Sequence, residues 1–313
     1  MPFPHPRRIY GLTRWLWVGR SSPCRVNRFL QYLPFQAVEC LIGKRKSPNR
    51  QYFHPSCYHP DVAHYPMPQT TPFHDLLTPY NETGIWKHWS GYLVAPRYQF
   101  STTAEYYAIR DSVSVLDTSP LFKYRITGVD ALRFLQAVMV RDIAQCPVGS
   151  AQYTCWCDPD GFVLQDGVIM RVAENEFWLS AAEPSLRYFR ATATALAMQG
   201  VGIQDITGDY GILAVQGPHA HSVLAQLTEA VDSMAYFELA ETAIDGCPVL
   251  VSRTGYTGDL GYELLIRADQ AQQVWQSLID AGKDCNLIPV GLEAVKMARV
   301  EAGLLLLGVD YES

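Results

Sequence analysis

From Met67 onward the apolar positions fall into two alternating periods, and each period predicts a different element. Spacings of three and four mark helices over Ala104–Ser112, Asp130–Val140, Pro184–Met198, Ala268–Ala281 and Gly291–Gly303. In the second of these, Leu132, Phe134, Leu135 and Val138 share one side. A further helix is expected from Pro218. Alternation by two marks strands at Tyr124–Thr127, Glu176–Ser180, Tyr210–Gln216, Glu238–Ile244, Val249–Thr254 and Gly261–Arg267. Gly149–Cys157 and Phe162–Val172 read as a hairpin, because Asp158-Pro-Asp-Gly161 between them supplies a fixed φ and then a residue that accepts positive φ. Leu304–Tyr311 is apolar and reads as one more strand, cut before its next element is complete. The fold class is therefore α+β. Its grammar is stated once to about residue 200 and again from 201, which predicts one unit over 67–200 and a second, truncated at its C-terminal end, over 201–313.

Charge separates the first 66 residues from the rest. They carry ten Lys/Arg against Glu39 and Asp61, a net +8, which leaves −14 for the remainder of a chain whose total is −6. This segment has no amphipathic period and no secretory order of basic, apolar and small residues. It is expected to be an extension without a fold of its own, and its arginines alone do not define a nucleic-acid surface. Apolar runs stay far below the ~18 residues that span a bilayer, so no membrane role is expected.

The eight cysteines show no C-x-x-C pair. Cys155 and Cys157 share a strand face but lack nearby histidines, which makes a poor metal site. Reduced thiols in a cytoplasmic protein are expected, with no metal. GxGxxG and Walker A patterns are absent from the sequence.

A co-linear series of motifs carries a family resemblance. It runs His88-Trp-Ser-Gly-Tyr92, Ala95-Pro-Arg-Tyr98, Glu105, Arg110, Val115-Leu-Asp-Thr-Ser119, Gly128-Val-Asp-Ala131, Phe134-Leu135, Arg141-Asp-Ile143, Tyr153, Cys157–Gly161 and Asp166-Gly167. It continues with Gln216-Gly-Pro218, Arg253-Thr-Gly-Tyr-Thr-Gly258, Gly261-Tyr-Glu263 and Met297–Gly303. Over residues 67–313 this resembles the glycine-cleavage T-protein (aminomethyltransferase) family and its folate-dependent demethylase relatives. The resemblance implies a cloverleaf of three domains around a tetrahydrofolate channel, of which this chain carries the two mixed sheet-and-helix domains and lacks the third β-domain. It also implies a one-carbon transferase of glycine or methyl-group catabolism.

Asp142 matches the family's acidic catalytic residue, where a carboxylate positions a proton on the attacking nitrogen and stabilises developing positive charge. Taken alone, it reads as a helix-terminal or surface aspartate. Glu263 matches the glutamate that accepts two parallel hydrogen bonds from the guanidine-like pterin edge; alone, it is a cross-strand charge. Arg299 matches the arginine that meets the ligand from a helix, or else pairs with Glu293 or Glu301. Tyr256, Arg253 and Tyr153 are further cofactor-binding candidates that shape the pocket, and Trp89 and Tyr92 are placed on the donor side or in the core. The glycines around Tyr256 serve either close approach to a ligand or a plain hairpin loop.

Ser119-Pro120 stands where T-proteins usually carry Ser-His, a departure shared with relatives that demethylate small N-methyl or sulfonium compounds. The donor therefore stays open between such a small molecule and a lipoyl carrier protein. A non-catalytic folate-binding accessory protein is the alternative from another class, disfavoured because Arg253–Leu260 lacks that group's cysteine. An inactive truncated fragment is the third reading.

Overall fold

The computed structural model describes residues 67–312, so the expected N-terminal extension lies outside the described residues. The chain begins with a short helix α1 (His74–Leu77), the hairpin β1 (Lys87–Trp89) and β2 (Tyr92–Val94), helix α2 (Thr102–Asp111) and strand β3 (Ser114–Asp117). Then come β4 (Phe122–Thr127), α3 (Ala131–Val138), β5 (Ser150–Cys157), β6 (Val163–Ala173), β7 (Glu176–Ala181), α4 (Leu186–Ala195) and β8 (Gly202–Asp205). The second half adds β9 (Tyr210–Gln216), α5 (Ala220–Leu224), β10 (Leu239–Ile244), β11 (Cys247–Ser252) and β12 (Gly261–Arg267). It closes with α6 (Ala271–Gly282), β13 (Ile288–Pro289) and α7 (Leu292–Glu301). The expected α+β class holds.

Two sheets carry the structure. One has the order β5-β6-β7-β4-β8, the other β10-β11-β12-β9-β3-β13, and every pair is antiparallel except β3 with β13. The sheets do not respect a linear division at residue 200. β3 pairs with β9, although it lies within the first half in sequence, and β8 returns to pair with β4 after residue 200. Hydrogen bonding and burial explain this. Val115 is 1% exposed in the second unit's core, beside Phe73 and Leu77 at 0% and 2%, so the chain opens in the second unit before it builds the first.

In the first unit, α3 buries Ala131, Phe134, Leu135 and Val138, a stripe at i, i+3, i+4, i+7. Phe189 of α4 sits at the hub, with ring centroids of Trp156, Tyr124, Tyr188 and Phe134 at 5.4–6.2 Å. Removing a ring buried in this way costs about 3–5 kcal/mol, which outweighs any exposed ion pair of the chain. The β5–β6 turn is held as its residues predict: Asp158 Oδ1 accepts the N–H groups of Asp160 and Phe162, each at 2.9 Å, and Gly161 takes φ +88°. The β10–β11 turn puts Asp245 and Gly246 at φ +49° and +76°, both left-handed as a tight primed hairpin turn requires.

Two buried ionised groups lock the junctions between elements. Glu105, fully buried, accepts the N–H groups of Tyr98 (2.6 Å), Gln99 (2.8 Å) and Gly291 (2.7 Å), tying α2 to the start of α7. Burial raises its pKa while those three N–H donors hold it down. Lys123 is 1% exposed and donates to the carbonyls of Ser119 and Leu121, both at 2.8 Å. Beside it Asp117 accepts from the Thr71 hydroxyl and from the Ser119 N–H.

The expected strand at Leu304–Tyr311 is not one. Gly303 and Gly308 take φ +71° and +79°, and Asp310 Oδ2 accepts the Leu306 N–H at 2.8 Å, curling the segment into turns. Among the described residues no helix is long and apolar enough to cross a membrane, and no His/Cys/Asp/Glu cluster could hold a metal.

Burial pushes the Lys123 ammonium down to about 8, with Asp117 and Asp205 pulling it partly back. The folded chain thus releases this proton before the unfolded chain does, so the penalty of the buried charge is present below pH 8 and relieved as pH rises toward the ordinary lysine value. Urea unfolding of the wild type and of Lys123→Met between pH 7.5 and about 10.5 checks this. The wild type gains stability relative to the variant as pH rises, and a difference independent of pH contradicts the assignment.

Candidate functional site

Strand parity decides which side chains meet between the sheets. Ala151 of β5 and Met170 of β6 pack against Ile212, Leu250 and Leu265 of the other sheet, a small apolar contact that joins the two faces. Side chains two residues apart share a face. The same face of β5 therefore presents Tyr153 and Cys155, that of β6 presents Asp166, and that of β12 presents Glu263. The apolar contact thus gives way along the strands to a polar one, one step on from Ala151 and Leu265 and two steps on from Met170, past Val168.

Asp166 is the centre of the first side. It lies opposite Cys155 in the ladder and diagonal to Tyr153, whose hydroxyl donates to Oδ2 at 2.6 Å. The Tyr311 hydroxyl donates to Oδ1 at 2.7 Å, so each carboxylate oxygen holds one phenol. Burial, and then the hydrogen bond to Asp166, raise both phenols above the ordinary tyrosine range. Tyr256 stands close by: burial pushes its phenol up to about 12, Arg299 draws it down, and the charges of Asp166 and Asp310 raise it. Its hydroxyl donates to the Leu305 carbonyl.

Glu263 is half-buried and accepts from the Thr254 hydroxyl, which lies 2.8 Å from that of Ser252. Burial raises the Glu263 pKa and the threonine partly lowers it. Arg253 donates to the Met234 carbonyl and keeps a buried Nε without a partner. Arg299, 5% exposed, is also left with an unpartnered Nε, while its Nη1 donates to the Leu304 carbonyl at 3.0 Å and to Asp310. Neither of the pairings expected of it from its own helix forms; Glu301 instead binds Arg110 at 2.7 Å. The loop glycines serve the protein itself. An ideal Cβ on Gly255 or Gly261 falls 2.1 Å from Oε1 of Gln216. That amide donates to the carbonyls of Thr254 (3.3 Å) and Tyr262 (3.4 Å) and accepts from the Thr257 hydroxyl at 3.0 Å.

Of the residues expected at the site, Tyr153, Tyr256, Arg299 and Glu263 are brought to this face or its border. Asp142 makes its hydrogen bonds within its own loop and to α3, while the backbone just before it bonds to β5 at Cys155 and Thr154. It is exposed, caps the single turn Ile143–Gln145 by accepting the Ala144 N–H at 3.1 Å, and takes the Gln136 amide at 2.7 Å. Asp166 and Tyr311, which the structure brings to this face, were not singled out from the sequence. Asp166 was visible only as part of an Asp-Gly motif; the ladder, which pairs it with Cys155, puts it on the tyrosine's face. Tyr311 lies on a segment with no periodic signal. At the far end of the same inter-sheet seam an open cleft is lined by Arg125, Glu176, Trp178 and Arg267, but its arginines are already paired with Glu176 and Asp269.

Comparison with known proteins fits this arrangement. The family described as GCVT N-terminal domain matches residues 64–313. The aminomethyltransferase of Bacillus subtilis is 36% identical over 246 residues, covering 78% of this chain and 67% of the relative. The trimethylamine-oxide aldolase of Ruegeria pomeroyi is 33% identical over 271 residues, covering 80% of this chain and 34% of the relative. Among solved structures, the glycine cleavage system aminomethyltransferase T of Bartonella henselae superposes with a TM-score of 0.68 at 24% identity, over 77% of this chain and 64% of that one. The chain belongs to the GCVT N-terminal domain family, as its motifs led one to expect, and shares the fold of the Bartonella protein. It spans about a third of the Ruegeria protein and about two thirds of the two aminomethyltransferases.

Replacing Gly255 by Ala displaces the Gln216 side chain and its hydrogen bonds, at a cost of about 2–3 kcal/mol in denaturant unfolding. Adding Gln216→Ala removes the clash, so the double variant is more stable than the sum of the single changes predicts. Strict additivity shows that another neighbour imposes the glycine.

Proposed function

We propose that this chain binds tetrahydrofolate between its two sheets and takes part in passing a one-carbon unit to it. Asp166 is the carboxylate at the reacting end, and Glu263 the one on the pterin edge. The observation that carries the reading is the pair of carboxylates on one inter-sheet face, Asp166 held by two phenols and Glu263 by the Thr254 hydroxyl, neither of them in an ion pair among the described residues. The side chains present fit the ligand. Glu263 has lone pairs left for two parallel N–H donors, and the buried Nε groups of Arg253 and Arg299 are donors short of an acceptor.

Tetrahydrofolate, when bound, supplies the nitrogen that accepts the one-carbon unit. Asp166 accepts or places the proton at that nitrogen, and its charge favours positive charge developing on the incoming carbon. Tyr153 and Tyr311 hold the carboxylate plane while leaving it lone pairs for this work. Glu263 orients the ring, and the apolar floor formed by Ala151, Met170 and Leu265 excludes water below it. Three tyrosines around one carboxylate also suit a methylated ammonium or sulfonium donor, through cation–π contact and charge together. The name of the Ruegeria relative supports that donor class over a lipoyl carrier protein. This scheme gives the reacting-end role to Asp166 and not to Asp142, whose Oδ1 takes the Ala144 N–H and the Gln136 amide.

Calorimetric titration of tetrahydrofolate under reducing, anaerobic conditions tests these roles. The chain binds saturably, Glu263→Gln weakens binding by about tenfold or more, and Asp142→Asn binds as the wild type does. Asp166→Asn keeps binding within a few-fold and loses transfer from a methylated amine. If Asp142→Asn abolishes transfer and Asp166→Asn does not, the catalytic assignment is reversed.

A further inference from the structure

The segment after α7 does more than leave the helix. Arg299 Nη1 donates to Asp310 and to the Leu304 carbonyl. Asp310 in turn accepts the Leu306 N–H at 2.8 Å, while its own N–H donates to the Leu306 carbonyl at 2.9 Å. The Gly308 N–H donates to the Tyr311 carbonyl at 2.8 Å, and Tyr256 donates to Leu305. Residues 304–311 are thereby closed into a strap whose shape depends on one aspartate, and its last side chain is laid on Asp166 at 2.7 Å, across 145 residues of sequence.

We propose that Arg299 and Asp310 form a latch whose task is to deliver Tyr311 to Asp166, making Tyr311 a positioning residue for that carboxylate and Arg299 the anchor of a site wall. Two features separate this from ordinary packing. The latch is charged and its arginine is enclosed, with side-chain exposure of 6% against 33% for Asp310, yet it holds a strap whose Leu305 and Val309 are exposed at 55% and 64%. Burying an arginine to hold an apolar strap that is itself left in water gains little by hydrophobic contact. Tyr311 also completes a symmetric arrangement, one phenol on each oxygen of Asp166, which fixes the plane of the carboxylate in a way that Tyr153 alone does not. The inference rests on reading Asp166 as the reacting-end group.

The test uses 13Cζ-tyrosine NMR of the full chain, with the Tyr153 and Tyr311 signals assigned by Tyr→Phe variants, titrated from pH 8 to about 11.5. The charged or titratable groups near Tyr311 are Asp166, Tyr153 and Cys155. In the wild type both phenols stay protonated past the ordinary tyrosine midpoint. Asp310→Asn brings the Tyr311 midpoint down by about one pH unit or more, while Tyr153 keeps its elevated value and so reports that the fold is intact. Asp166→Asn, which does not touch the latch, lowers both. Tyr311 titrating normally in the wild type, or unmoved in either variant, overturns the proposal. Because no folate is present, failure of the folate reading leaves this result standing. Where transfer is measured, Tyr311→Phe lowers kcat about tenfold with KM little changed, and adding Asp310→Asn to it costs nothing further. Additive losses contradict a latch that acts through Tyr311.

Discussion

The contact of Ala151 and Met170 with Ile212, Leu250 and Leu265 governs where anything else between the sheets can be. Val168, Val172, Trp178, Phe237 and Leu239 pack around it, and the pleat of each strand repeats every second residue. The parity that makes Ala151, Met170 and Leu265 meet therefore also commits Tyr153, Asp166 and Glu263 to the same seam. A slip of one residue in β5, β6 or β12 would send the carboxylates to the opposite face and bury polar groups under the helices.

Register alone does not hold the seam open to polar chemistry; buried polar side chains do. Gln216 fills the space under the 253–261 loop and satisfies two backbone carbonyls there, so that loop brings Tyr256 toward Asp166 without needing a ligand to shape it. Glu105 does the same where α2 and the start of α7 meet, satisfying three N–H groups that would each cost about 1–3 kcal/mol if buried unpaired. Several motifs that signal the family, among them Glu105, Asp117 and Gln216, thus act on the backbone rather than on a ligand.

This explains what was legible in the sequence. Helices with a clean apolar stripe, such as Ala131–Val138, and hairpins with explicit turn chemistry, such as Asp158–Gly161 and Asp245-Gly246, appear where the pattern puts them, with ends shifted by only a few residues. Sheet membership was not legible for β3 and β8, because strand pairing is a long-range choice made by burial and no local period records it. The strap at Leu304–Tyr311 misled for a related reason. Its run of leucines has strand propensity, but two glycines at positive φ and one aspartate turned back on Leu306 outweigh it. Tyr153, Tyr256 and Glu263 were singled out by motif, and the structure brings them to one face or its border. Asp142 was placed by motif alone, and Asp166 reaches the face of Tyr153 through a ladder register that shifts at Trp156/Cys157, which no count along the sequence records.

Arg299 shows why residue type does not determine role. A guanidinium offers five donors in a plane, and here one terminal nitrogen is committed to the strap while Nε, buried, has no acceptor. An orphaned donor of this kind costs about 1–3 kcal/mol, and a Lys in its place could reach Asp310 without incurring it. The arginine is therefore not explained by the strap alone. What distinguishes it from a Lys is a second, coplanar donor that the strap does not use.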